Sequence, residues 1–511
     1  MPRQRHCLAT GVASEIASAL ANLRGVLVLA VIAITPAGAQ ERRCITDVSP
    51  LDFTLPLHHT RRDSVCVREG FTPLGPVGIT GRRSGVADGR GNGAAPAGVG
   101  RALQMRAGFE WRRQWLTLRF APELSSAQNG SFLTFPAGDS TRSGQSSPWY
   151  FGDYSADLPS RHGTSPITQF DLGESGVWAT GRQWTLGATT ALPDWGPGIG
   201  EGLVLGRSSA GLPRLEASWR QPLLAGALEL RWFGGAAIES RFFDTDPDNN
   251  RRGVAGARLS YARPLWRVGL SRTVMDGRTS RAPLAAAALP FGRAGTDSVI
   301  EMLSADLRFA HAEAGTMLWM EVARQAPLRE FRDLTLMPGE GLAIRLGMSQ
   351  VLFERNGAKW ILGFEAARLE MPPQRVGRVD QDLYTSPTVI HGWTHRGEPL
   401  GSGLGPGGQR QLISMDWERG TNALGLFVER VRWNDDALYR QFLPYPVRHD
   451  VTLQAGLRGG FEGIGMRFHG TLSGGTRLNY LFQNADFIPG YRTDDARSVE
   501  FTLAVSPAGR R

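Results

Sequence analysis

RALQMRAGFEWRRQWLTLRF, Arg101 to Phe120, decides the fold class. Met105, Ala107, Phe109 and Trp111 alternate with Arg106, Gly108, Glu110 and Arg112. After a short turn at Arg112-Arg113-Gln114, Leu116, Leu118 and Phe120 alternate with Thr117 and Arg119. Side chains on a strand point to opposite faces in turn, so the stretch predicts a hairpin with one apolar and one charged face.

The same period of two continues almost to the end of the chain. Leu228, Leu230 and Trp232 flank Glu229 and Arg231; Trp266, Val268 and Leu270 flank Arg267 and Gly269. Leu342, Ile344, Leu346 and Met348 follow it, as do Val451 to Leu457, Leu478 to Phe482 and Val499 to Val505. A soluble sandwich would alternate in the same way. The charged inner face and the apolar, aromatic-ended outer face favour a membrane barrel instead. In lipid, only a closed barrel pairs every strand N–H and C=O. Connections are short on one side, as at Arg263-Pro264. They are long on the other: Ala121 to Gly176, Arg272 to Ser298, and Glu370 to Gln411. The predicted class is therefore all-β, a transmembrane antiparallel β-barrel. The chain ends SPAGRR, without the terminal aromatic common in such barrels.

The rest of the chain fits this class. Arg24 precedes an apolar run, Val26 to Ile34, and then Ala37-Gly38-Ala39, which reads as a signal peptide over residues 1–39. That run is short for a membrane-spanning helix of about 20 residues. Residues 40–100 read as an irregular periplasmic lead-in, Gly- and Pro-rich in its second half, with the barrel over 101–511. Cys7 falls in the signal. Cys44 and Cys66 remain and could close a disulfide in an exported protein. The formal charge of +9 is carried almost wholly by arginine, and Lys359 is the only lysine. These cations are scattered through strands rather than clustered, which argues against a nucleic-acid partner.

Four stretches complete the pattern. They are RGNGAAPAGVGRALQMRAGFEWRRQWLTLRFAPELSSAQNGSF from Arg90; YFGDYSADLPSRHG from Tyr150, leading into DWGPGIGEGLVLGRSSAGLP from Asp194; ESRFFDTDPDNNRRG from Glu239; and HGWTHRGEPLGSGLGPGGQRQLISMDW from His391, followed by ERVRWNDDALYR from Glu429. In that order they resemble the capsule-assembly Wzi family of outer-membrane proteins, over most of the chain from Arg90 onward. The resemblance implies a monomeric barrel of about 18 strands in the outer membrane. It also implies a lectin-like, non-catalytic role in holding capsular or exopolysaccharide, with no cofactor. The family's periplasmic helical element has no evident counterpart in Gln40 to Gly100.

The residues themselves offer candidate contacts. Six glycines and two prolines surround Trp195 between Asp194 and Pro213. Glycine permits positive φ and close backbone approach, as a tightly folded loop needs. Asp194 and Trp195 could present a stacking ring and an acid to a sugar, or Trp195 could simply be packed. His391, Trp393, His395, Arg396 and Glu398 form the densest polar-aromatic patch. On a strand, His391 and His395 would stand about 13 Å apart, too far to share a metal ion. DTDPDNN, Asp244 to Asn250, alternates oxygen ligands but lacks the glycine and terminal glutamate of an EF-hand. Glu239, Asp244, Asp435 and Asp436 lie near strand ends, and sequence cannot set one opposite another. No Gly-x-Ser-x-Gly elbow or His-Glu-x-x-His helix appears, so no enzyme is expected. The alternative function is a porin-like channel, whose arginine-lined lumen would favour small anionic solutes.

Overall fold

The computed structural model describes residues 98–507, apart from positions within the connections 133–153, 192–200, 245–249, 277–298, 326–340, 372–381, 442–448 and 483–494. It also describes four earlier strands, Arg42–Ile45, Val65–Arg68, Gly70–Leu74 and Val77–Ser84. The expected signal, 1–39, lies outside the described residues.

Eighteen antiparallel strands form the wall. The first four are each interrupted once: Gly70–Leu74 with Val77–Ser84, Arg101–Arg106 with Gly108–Arg113, Leu116–Phe120 with Glu123–Ala127, and Ile167–Asp171 with Gly176–Thr180. Across the second and third of these the register is unbroken, from Ala102 opposite Ala127 to Phe109 opposite Phe120. In the fourth, one extra residue bulges out at Leu172–Ser175, where Gly173 takes φ 55°. The wall continues through Trp184–Thr189, Arg214–Leu223, Gly226–Ile238, Arg251–Ala262, Trp266–Asp276, Val299–His311 and Thr316–Gln325. Leu342–Arg355, Ala358–Arg368, Gln409–Arg419, Asn422–Trp433, Asp450–Gly463, Met466–Leu478 and Ala496–Pro507 complete it. The last strand pairs with the first, Leu503 opposite Ile79, and closes the barrel.

Two expectations are corrected. The wall begins at Gly70, inside the stretch read as an irregular lead-in. Its glycines leave too few side chains for a period of two to show, and its partner strand lies at the far end of the chain. Tyr480–Phe482 is a 3-10 turn rather than a continuation of the strand ending at Leu478, because Asn479 turns the backbone to φ 52°. Before the wall, Arg42–Ile45 pairs with Val65–Arg68 so that Cys44 stands opposite Cys66. Directly opposed antiparallel residues have Cα atoms about 4.5–5.5 Å apart, within the span a disulfide bridges.

Exposure sorts the two faces of the wall. Leu230, Leu259 and Leu270 sit opposite one another on three neighbouring strands, and each is 42% exposed or more. Leu307, Met320 and Leu346 form a second such row on the next three strands. Such a belt is costly in water, at about 25 cal/mol per Å² of apolar surface, and costs little in hydrocarbon. Aromatic pairs flank the short turns: Tyr261 with Trp266 at 5.4 Å, Phe353 with Trp360 at 5.9 Å and Phe461 with Phe468 at 4.8 Å. This is the girdle of a membrane interface. The short turns suit the strand twist: Leu224 and Ala225, like Asn356 and Gly357, both take positive φ.

The inner face is ionic. Arg258 pairs with Asp306 at 2.6 Å, Arg458 with Asp416 at 2.6 Å, and Arg477 with Asp450 at 2.6 Å. Glu365 accepts from Arg345 at 2.9 Å and from Arg410 at 3.0 Å.

Candidate functional site

Two long connections fold back into the lumen from the side opposite the short turns. One is the glycine-rich loop after Trp184–Thr189, described at 195–197 and 201–213. The other runs from Asp382 to Gly408. Their apolar side chains form one cluster with the wall: Trp195, Leu203, Leu205, Tyr384, Trp393 and Leu400 pack against Phe233, Met275, Ile300, Met302 and Val431. The loops meet backbone to backbone. Gly206 N–H donates to Leu400 O at 2.7 Å, and a Cβ on Gly206 would stand 2.6 Å from Gly401 O. Only glycine allows this approach, which seats Gly206 in a plug.

The predicted site residues divide accordingly. Trp393 is fully buried, and its indole N–H donates to Val204 O at 2.8 Å. Trp195 is buried edge-on against Phe233, with ring centroids 5.1 Å apart. Neither ring offers a face to solvent, so the packed alternative for Trp195 is the one the structure has, and Trp393 shares it. His391 and His395 are buried beside them. His395 Nδ1 accepts from Ile238 N–H at 2.9 Å and Nε2 faces Gly211 O at 3.1 Å, which sets a neutral ring protonated on Nε2. Glu398 is buried; Arg396 reaches the wall and pairs with Asp171. Asp194 lies outside the described residues. Among the described residues no group of three His, Cys, Asp or Glu side chains is arranged to hold a metal ion.

Above the plug the structure assembles residues that the sequence left apart. Asp157, from the loop before Ile167, accepts from Ser240 N–H and Ser240 Oγ–H, both at 2.6 Å. Its own N–H donates to His391 O at 2.8 Å. Glu239 stands beside Asp244 and Asp157, and Glu239 Oε2 is buried with no hydrogen-bond partner among the described residues. Two of the acids that sequence could not pair, Glu239 and Asp244, are thus neighbours. At the surface next to them the Arg241 guanidinium lies 4.8 Å over the Phe242 ring, whose edge meets His162 at 5.8 Å. Phe242 and Arg241 carried a signal in the quoted stretch, an aromatic pair between arginine and acids. Asp157 and Ser240 carried none.

Burial sets the protonation of this layer and of the plug beneath it. It pushes Glu239 up to about 9, helped by Asp244 and Asp157. It pushes Asp157 up to about 7 against the pull of the Ser240 hydrogen bonds. It lowers His162 to about 4 and His391 and His395 each to about 3. The folded state therefore holds extra protons on the two carboxyls, and stability falls as pH rises towards about 9. Below about 6.5 the unfolded chain takes up protons that the buried histidines refuse, and stability falls again. Thermal unfolding in detergent from pH 4 to 9 should peak between about pH 6 and 7. A midpoint still rising at pH 9 would contradict the carboxyl assignment.

A closed antiparallel barrel with an apolar outer belt, an ionic inner face and an in-folded plug is a transmembrane β-barrel. No family model and no curated protein matches the sequence. Among solved structures, an outer-membrane protein of Escherichia coli, Wzi, aligns over 86% of this chain and 84% of its own, with TM-score 0.58 and 11% identity. It is described as involved in group 1 capsule assembly and as a carbohydrate-binding β-barrel. At that identity the likeness is one of fold. OccAB2 of Acinetobacter baumannii covers 85% of this chain and 96% of its own, at 9% identity and TM-score 0.39. OccK7 of Pseudomonas aeruginosa covers 86% and 98%, at 10% identity and TM-score 0.37.

Proposed function

We propose that this barrel sits in the outer membrane as a monomer and holds capsular or exopolysaccharide at the cell surface without catalysis. The plug carries the reading. A cluster of buried apolar side chains inside the lumen serves a binding surface better than a water-filled pore. The carbohydrate binding described for the E. coli barrel of like fold supports it. The contact surface is the layer above the plug, where the Arg241 guanidinium lies over the Phe242 ring and Asp244 stands beside Glu239. An aromatic face stacks on a pyranose, and charged groups bind its hydroxyls or acidic substituents. Modest affinity per site suffices, because a repeating polymer engages many sites in turn.

The test is binding of the host's own surface polysaccharide to the detergent-folded protein. Phe242→Ala and Arg241→Ala should each weaken it about tenfold, equivalent to ~1.4 kcal/mol, while leaving heat-modifiable gel migration unchanged. A folded parent that ignores the polysaccharide yet conducts small anions across a planar bilayer would replace this reading with the porin-like one.

A further inference from the structure

Below the plug, on the short-turn side, the inner wall carries an excess of positive charge. Arg267 and Arg308 stand directly opposite one another on the neighbouring strands Trp266–Asp276 and Val299–His311. Both lie among the inward-facing positions, since Val268 and Leu307 beside them face outward. Arg308 has no hydrogen-bond or carboxylate partner among the described residues. Arg267 makes one hydrogen bond, from Nη2 to Gly196 O of the plug at 3.2 Å, and its Nε is buried without a partner. The charged groups acting most strongly on Arg267 are three guanidinium groups, Arg258, Arg308 and Arg231, and one carboxylate, Asp306; Glu321, which accepts from Leu203 N–H, also lies near Gly196. Asp306 is already engaged by Arg258, through Nη1 at 2.6 Å and Nη2 at 3.0 Å. Arg231 is half exposed and shared with Glu229 at 2.7 Å.

Like charges directly opposite on paired strands destabilise a sheet. Elsewhere this wall neutralises its arginines: Arg345, Arg410, Arg458 and Arg477 each have a carboxylate within 3.0 Å. Arg267 and Arg308 are an exception that a bound anion would resolve. We propose that Arg267 and Arg308, with Arg231 at the margin, form a binding site for a small oxyanion, a phosphate or a carboxylate, on the inner wall beneath the plug. Two guanidinium groups side by side present parallel N–H donors to such a group. The plug loop lies against Arg267 through Gly196 O. This inference does not depend on the polysaccharide reading, which concerns the opposite end of the plug.

The experiment uses the full detergent-folded chain at low ionic strength. Inorganic phosphate and glucuronate are the two anion probes, with sodium chloride of equal ionic strength and neutral glucose as controls. Phosphate or glucuronate should raise the parent's unfolding temperature where chloride and glucose do not, and the stronger of the two identifies the anion. Arg308→Gln should cut the affinity at least tenfold. Because it also relieves the repulsion, it should unfold at a higher temperature than the parent without anion, an order that reverses at saturating anion. Arg113→Gln, at the exposed end of the strand Gly108–Arg113 and outside the site, should behave as the parent. Should Arg308→Gln fail to fold, phenylglyoxal labelling of the parent gives the same answer: peptides with Arg267 and Arg308 should be protected by the anion. Equal responses of parent and Arg308→Gln, or labelling that ignores the anion, would overturn the site.

Discussion

Trp393→Ala is expected to loosen the plug while leaving the wall intact, at a cost of about 3–5 kcal/mol. Trp393 is buried completely at the join of the two in-folded loops. Its backbone N–H donates to Tyr384 O at 2.8 Å, its carbonyl accepts from Leu400 N–H at 3.1 Å, and its indole holds Val204 O. Truncation empties the largest side chain from the centre of the cluster and strands the Val204 carbonyl. The loss falls on contacts between loops and wall, whereas the strand ladder is untouched. Calorimetry of the detergent-folded variant should therefore show an early transition ahead of barrel unfolding, and planar-bilayer conductance should rise above that of the parent. Polysaccharide binding should also fall, because Asp157 is tied to the same plug through His391 O. One melting transition at the parent's temperature, with unchanged conductance, would mean that the plug is held by something other than this cluster.

Glu365→Ala is expected to destabilise the wall itself by ~3 kcal/mol. Glu365 is buried and bridges two guanidinium groups, Arg345 Nη2 at 2.9 Å and Arg410 Nη1 at 3.0 Å. Arg410 keeps a second partner in Glu429, so it is not stranded. Arg345 is buried with no other ion pair among the described residues, and its Nε already lacks a partner. Removing the carboxylate leaves a buried positive charge that only the more distant Glu201 and Glu321 offset, which costs more than the pair contributed when intact. Glu365→Gln, which keeps the acceptor oxygen, should lose about half as much. Arg345→Met in the Glu365→Ala background should recover stability, because it removes the stranded charge. Urea unfolding in detergent or lipid measures all three, and a double variant weaker than Glu365→Ala alone would refute the argument.

Wall and plug differ in how far the sequence made them legible. Wall residues were legible. Leu228, Leu230 and Trp232 against Glu229 and Arg231 announce a strand because side-chain direction on a strand depends only on neighbouring positions. The sign of the two faces followed from chemistry, since apolar belts belong in lipid and arginines in a wet interior. Where local pattern was thin, the reading failed. Gly70–Ser84 has too many glycines to alternate and becomes a strand because Ala496–Pro507 needs a partner to close the wall. Tyr480 and Phe482 alternate like a strand, yet one backbone turn at Asn479 takes them out of it.

The site was legible in kind and not in role. The glycines about Trp195 correctly announced close backbone approach, but what approaches is Leu400 and Gly401, almost two hundred residues away in the chain. Trp393, His391 and His395 looked like a polar-aromatic surface and became the inside of a plug. Sequence alone determined an alternating, arginine-rich barrel with long loops on one side, because these are properties of neighbouring residues and of total composition. Only the tertiary structure decided which loops fold inward, that Glu239 meets Asp157, and that Arg267 faces Arg308. Each of these depends on bringing together segments that do not adjoin in the chain, and that is fixed by barrel closure and strand register.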